Sequence, residues 1–180
     1  MRSLSIKSVF MSSALLLYAL PSLAVQTCKD YIPDNTPNSR YTDNGNSTVT
    51  DNDTGLMWKQ CVEGLTGGDC TTGGVTSHLW QAALALATTV NSASFAGYND
   101  WRVPNLTELE SLVARNCSSP SINSSLFPNA PASYVWSSSP IAYEPFYAWN
   151  VGFFGGDTYA ENVSERSFFS HHVRLVRSGQ

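Results

Sequence analysis

Residues 97–113 read GYNDWRVPNLTELESLV, and the fold turns on how this stretch is interpreted. Asn105 stands at a helix cap with Glu108 three positions on. The Asn105 side chain can accept from the Glu108 backbone while the Glu108 carboxylate reaches back, a capping box with Asn in place of Ser or Thr. Pro104 just before the cap blocks any extension toward the N-terminus, because its ring removes a donor and clashes with the preceding turn. Leu106, Leu109, Leu112 and Val113 then give the helix a buried face.

Working outward, Thr76 or Ser77 is placed to cap a longer helix over residues 78–90, whose Leu79, Ala82, Ala83, Leu86 and Val90 form an apolar stripe. Farther back, DNGNSTVTDNDTGLMWKQ (43–60) offers residues 48–50 and 56–58 as short strands between turn formers, a β-hairpin. After Cys117 the chain changes to strands and turns: 134–138, 147–153, 158–159 and 169–176, with Gly155, Gly156 and Asp157 marking a hairpin turn. This order predicts an α+β domain, two helices packed on an antiparallel, twisted β-sheet with long loops. Residues 25–42, polar and rich in Pro and Asn, read as an extended lead-in, and residues 43–180 as one domain.

The first residues place Arg2 and Lys7 ahead of an apolar run ending at Pro21, with Ser22 and Ala24 at the small positions of a cleavage site. Residues 1–24 therefore read as a cleaved secretory signal peptide; the run is well short of the roughly 20 residues of a bilayer span. The expected location is the periplasm or the cell exterior. Removing the leader takes away two basic residues and no acid, so 8 Lys and Arg face 14 Asp and Glu, a formal charge of −6. That balance excludes a nucleic-acid partner, which needs clustered cations to neutralise phosphates. Only Arg166, Arg174 and Arg177 come close together, and Arg166 and Arg174 are taken as candidate ligand contacts.

Cys28, Cys61, Cys70 and Cys117 all fall in the exported part, where an even count reads as disulfides. Of three possible pairings, Cys61 with Cys70 across the Gly-rich VEGLTGGD is favoured, leaving Cys28 with Cys117. A four-cysteine zinc site lacks any CxxC pair. Calcium has one candidate stretch, Asp43, Asn44, Asn46, Asp51 and Asp53, but the spacing departs from an EF-hand loop and turn chemistry is the better reading. No cofactor is expected.

A direct search for catalysis finds no GxSxG elbow, phosphate-binding loop or zincin helix. His78 opens a helix, and adjacent His171 and His172 on a strand point to opposite faces. The aromatic run PIAYEPFYAWNVGFF (140–154) is a better lead. Trp136, Trp149, Phe153 and Phe154 are read as core, whereas Tyr143 and Phe146 lie nearer a loop, where an aromatic can stack on a sugar ring or anchor a protein partner.

Four stretches together carry a family resemblance: residues 43–58, residues 97–113, INSSLFPN (122–129) with VWSSSP (135–140), and HHVRLVR (171–177). They resemble the Lcl C-terminal domain family, named after a Legionella collagen-like adhesin. WRVPNLTELE and HHVRLVR are also similar to segments of the sulfatase-modifying domains, and the two likenesses imply a C-type-lectin-like architecture. On that resemblance Trp101, Arg102 and Pro104 fix a strand-to-helix corner, Arg102 pairs with Glu108 or Glu110 across it, and Trp58, Trp136 and Trp149 are structural. The sulfatase-modifying enzymes use reduced cysteines near the C-terminus, and here no Cys follows Cys117. Calcium-dependent lectins use a Glu-Pro-Asn loop, and here Glu144-Pro145 is followed by Phe146. The expected function is a non-catalytic recognition or adhesion module for glycan or a cell-surface polymer, the alternatives being an enzyme derived from the sulfatase-modifying scaffold or a periplasmic assembly partner of another protein.

Overall fold

A computed structural model describes residues 25–164 and 168–179, so the signal-peptide reading of residues 1–24 and the candidate Arg166 lie outside the described residues. The strands are β1 (Thr27–Cys28), β2 (Tyr41–Asp43), β3 (Thr48–Asp51), β4 (Leu56–Lys59), β5 (Leu65–Thr66) and β6 (Thr72–Gly73). Helices α1 (Trp80–Ser92) and α2 (Leu106–Glu110) follow, then β7 (Cys117–Ser118), β8 (Tyr134–Ile141), β9 (Glu144–Gly152), β10 (Asp157–Asn162) and β11 (Val176–Ser178). The chain is α+β with antiparallel strand pairing, as its sequence predicts.

The single expected sheet is instead divided. One principal sheet has the order β11-β4-β3-β2, the other β10-β9-β8, and β1-β7 and β5-β6 form two short ribbons. The division arises because the end of the chain returns to the hairpin near its start: Val176 pairs with Trp58. The expected strand over 169–176 is correspondingly interrupted. His171 makes a single bridge to His78 and His172 one to Val135, so this segment joins the two sheets before β11 begins.

The β3–β4 hairpin forms where residues 43–60 predict it. Val49 and Trp58 are directly opposite, and both are fully buried. Gly55 closes the turn at φ +69°, a left-handed conformation that glycine adopts without a Cβ penalty.

Helix α1 starts at Trp80, two residues later than predicted, with Leu79 at the cap and no side-chain cap bond. Residues 76–78 are committed elsewhere. The Thr76 hydroxyl donates to the Glu63 carbonyl (3.0 Å), and His78 and His171 exchange backbone bonds of 2.8 and 3.1 Å. The buried face is also shifted: Ala83 and Ala87, one turn apart, face Trp101, Trp136 and Ala148, whereas Leu79 and Ala82 are exposed. Small residues at these two positions let the helix approach the two tryptophans closely.

Helix α2 carries the predicted capping box, with Asn105 Oδ1 accepting from the Glu108 amide (2.9 Å) and Glu108 Oε2 from the Asn105 amide (2.8 Å). The helix ends at Glu110 with Ser111 as its C-cap, so of the expected apolar face only half-buried Leu106 and buried Leu109 lie on it, and Leu112 and Val113 are buried just beyond its end. They join Val49, Trp58, Phe127, Val151 and Val176 in one cluster; a second contains Trp101, Val103, Trp136, Val173 and Leu175.

Two residues assigned to the core are not fully in it. Trp149 and Phe154 are half-buried, while Trp136 and Phe153 are buried. On the face of β9 shared by Tyr147, Trp149 and Val151, burial is complete at Val151 and lost by Tyr147.

The lead-in contributes structure of its own. Cys28 pairs with Cys117 both in the β1–β7 register and as a disulfide, and Cys61 bonds Cys70, the favoured pairing. Tyr41 starts β2 opposite Asp51. No helix among the described residues is long and apolar enough to cross a membrane.

Candidate functional site

The β8–β9 hairpin positions the aromatic candidates. Ile141 pairs with Glu144, so Ala142 and Tyr143 form a two-residue turn and Phe146 lies three residues beyond it. Strand β9 thus begins at Glu144, three residues before its predicted start, and includes Pro145. Proline is tolerated there because the β10 pairing reaches only to Tyr147 and demands no donor from residue 145. Tyr143 is 82% exposed, Phe146 61% and Tyr147 36%. The site therefore exposes aromatic side chains at the tip of a hairpin whose strand β9 is held between β8 and β10.

Arg174, the other candidate ligand contact, is turned into the core. Its side chain is 1% exposed, it donates to the carbonyls of Lys59 (2.8 Å) and Gln60, and its guanidinium lies 4.8 Å from the centre of the Phe127 ring. Burial lowers its pKa to about 9 against the opposing pull of Glu63, which leaves it cationic at neutral pH. All of residues 173–177 are buried, so the alternation that would turn Arg174 outward does not apply. Arg177 is also engaged, with Asp100 at 2.7 and 3.1 Å and the Tyr98 ring at 3.8 Å.

The strand-to-helix corner is built from Trp101, Arg102, Pro104 and Glu108. Trp101 is buried, with its indole N–H donating to the Phe95 carbonyl (3.0 Å) and its amide to Asn91 Oδ1 (2.8 Å). The Pro104 carbonyl accepts from Ser138 (2.7 Å). Arg102 resolves its two predicted partners in favour of Glu108, which it clasps with both carboxylate oxygens at 2.7 and 2.6 Å. That guanidinium holds the Glu108 carboxyl below its usual range despite partial burial. Glu108 therefore serves the cap and the ion pair together.

The acid-rich hairpin carries several turn hydrogen bonds. Asp43 accepts from the Gly45 amide (2.9 Å), Asn46 from the Thr48 hydroxyl (2.6 Å), and Asn44 bonds Thr48 (2.9 Å) and Thr50 (3.0 Å). Asp51 is fully buried and paired with Arg40 at 2.8 and 2.5 Å, with Asp53 3.6 Å from the same guanidinium. Sequence reading missed this pair. Its signal was a lone arginine closing the lead-in ahead of an acid-rich turn.

The histidines separate as the sequence implies. His171 is buried over Trp136 (4.3 Å between ring centres) and beside Tyr134 (5.0 Å), whereas His172 Nδ1 lies 2.9 Å from the Thr76 carbonyl. Burial lowers the His171 pKa to about 4. Because the folded value lies below the unfolded one, stability is complete above about pH 6.5 and falls as the unfolded chain takes up a proton between 6.5 and 4. The expected loss is about 3 kcal/mol by pH 4. Unfolding midpoints measured across that window should fall less steeply for His171→Phe, and an equal slope would remove His171 as the cause.

In comparison with known proteins, a family model described as the Lcl C-terminal domain matches residues 47–177. No curated protein matches the chain.

Proposed function

The chain belongs to the Lcl C-terminal domain family, and on that footing we propose that it is an exported, non-catalytic recognition or adhesion module. It contacts glycan or another cell-surface polymer through Tyr143 and Phe146 on a C-type-lectin-like scaffold. The observation that carries this reading is the pair of large exposed aromatics on a hairpin whose flanking sheet is anchored in the core. Exposed rings of this kind supply contact area at low conformational cost. Two disulfides suit an oxidising exterior, and all four sulfurs are occupied by them. The net charge of the exported part opposes polyanion binding.

Cell-binding and glycan-array measurements on residues 25–180 test the proposal. Tyr143→Ala and Phe146→Ala should each weaken binding by roughly tenfold or more, the effect of removing an interface anchor. Unfolding free energies should stay within about 0.5 kcal/mol of the parent, since both rings are exposed. Binding indifferent to both substitutions removes the hairpin tip from the function.

A further inference from the structure

Between the lead-in and the segment that follows α2 lies a second feature, a cleft of about 180 Å³. Asp34 and Thr36 line one side; Asn116, Asn123, Ser124 and Ser125 line the other. The two sides are joined at several independent points. Cys28 is bonded to Cys117, Gln26 Nε2 donates to the carbonyls of Pro120 (2.8 Å) and Ile122 (2.7 Å), and Asn123 Nδ2 donates to the Thr36 carbonyl (2.8 Å). Asn35 Nδ2 adds a bond to the Val113 carbonyl (2.8 Å). A cleft held this way needs little ordering when a ligand binds.

Its chemistry is that of hydroxyls and amides. One carboxylate, Asp34, is present in the lining and no Lys or Arg. The Asp34 carboxylate is oriented by the Thr36 amide (2.9 Å) and hydroxyl (3.4 Å). Asn116 lines the cleft, and its Oδ1 is buried with no protein donor, so a small rotation of the amide would turn an unmet acceptor toward a ligand hydroxyl.

We propose that this cleft binds a neutral saccharide, one ring at a time. Each sugar hydroxyl both donates and accepts, which suits a wall mixing carboxylate and amide acceptors with hydroxyl and amide donors. The volume is below the roughly 300–1,000 Å³ of drug-sized sites, which favours a single ring over a longer segment. A sulfated sugar would meet Asp34 with no cation in the lining to offset the repulsion. A divalent cation prefers several carboxylate oxygens, and the lining holds one carboxylate. The wall that includes Asp34 and Thr36 precedes the stretch matched by the family, so this site does not follow from membership of that family. It is also separate from the Tyr143 and Phe146 tip and stands whether or not that tip binds.

The test is saturation-transfer NMR and calorimetry on residues 25–180 with glucose, galactose, mannose and N-acetylglucosamine, with glucose 6-sulfate and calcium chloride as comparison arms. At least one neutral sugar should bind, and Asn116→Ala and Asp34→Ala should each weaken it roughly fivefold or more, the loss of about one hydrogen bond. All arms are run in the Tyr143→Ala/Phe146→Ala double variant, which removes the aromatic tip, so the binding read is that of the cleft alone. Ser125→Trp, at an exposed position on the cleft rim, should block it and serves if Asn116→Ala fails to fold. The proposal is overturned if no neutral sugar binds, if the sulfated sugar binds as well as the neutral one, if calcium alone binds and is lost with Asp34→Ala, or if sugar binding survives Ser125→Trp.

Discussion

Replacing Arg174 by alanine is expected to cost about 3–5 kcal/mol of stability. The fully buried guanidinium donates to the Lys59 and Gln60 carbonyls and covers the Phe127 ring. Alanine leaves those carbonyls without this donor and opens a void beside Phe127. Methionine at 174 refills most of the volume but supplies no donor, so Arg174→Met should recover only part of the loss. Urea unfolding curves decide it: a change below about 1 kcal/mol for Arg174→Ala would contradict a structural role. For a domain of this size the expected loss corresponds to a midpoint lower by roughly 10 °C.

A loss of similar size is expected for Asp51→Ala. The carboxylate is fully buried, Arg40 grips it with two guanidinium nitrogens, and the Asp53 amide donates to it at 3.1 Å. Removing one partner of a buried pair strands the other charge, which costs about 3–5 kcal/mol. Burial alone would raise the Asp51 pKa, but the Arg40 hydrogen bonds, with Thr54 and the Asp53 backbone, outweigh it and the folded value lies below the ordinary one. Its contribution is therefore complete above the usual carboxylate pKa near 4 and disappears as the pH falls through the lower folded value. In a double-mutant cycle, Arg40→Ala with Asp51→Ala should destabilise by much less than the two single changes added together. Simple additivity would show that the two side chains do not act as a pair.

What the sequence made legible is local. The capping box spans four residues, the β3–β4 hairpin needs only its own turn formers, and the Cys61–Cys70 loop closes over nine positions. Each is settled by neighbours along the chain. Arg40 and Asp51 are 11 residues apart in different elements, and Arg174 meets Lys59 across 115 positions, so no periodicity announces either. The start of α1 failed for the same reason: Thr76 has the chemistry of a cap, but a distant carbonyl, that of Glu63, takes its hydroxyl. The exposed tip was partly legible, since their place nearer a loop marked Tyr143 and Phe146 as outside the core. The cleft was not, because its two sides come from segments about 80 residues apart and meet only after β1 has paired with β7.

The return of the chain's last strand to β4 bears on how the molecule is made. Val173, Leu175 and Val176 are fully buried and supply both hydrophobic clusters, while Val176 completes the pairing opposite Trp58. A polypeptide emerging N-terminus first therefore cannot finish either interior until nearly all of it has been delivered. Long-range closure of this kind folds slowly, and a chain still passing through a narrow channel would remain pliable enough to thread. Cutting it before residue 173 should yield a product that aggregates or is degraded, rather than a smaller version of the native molecule.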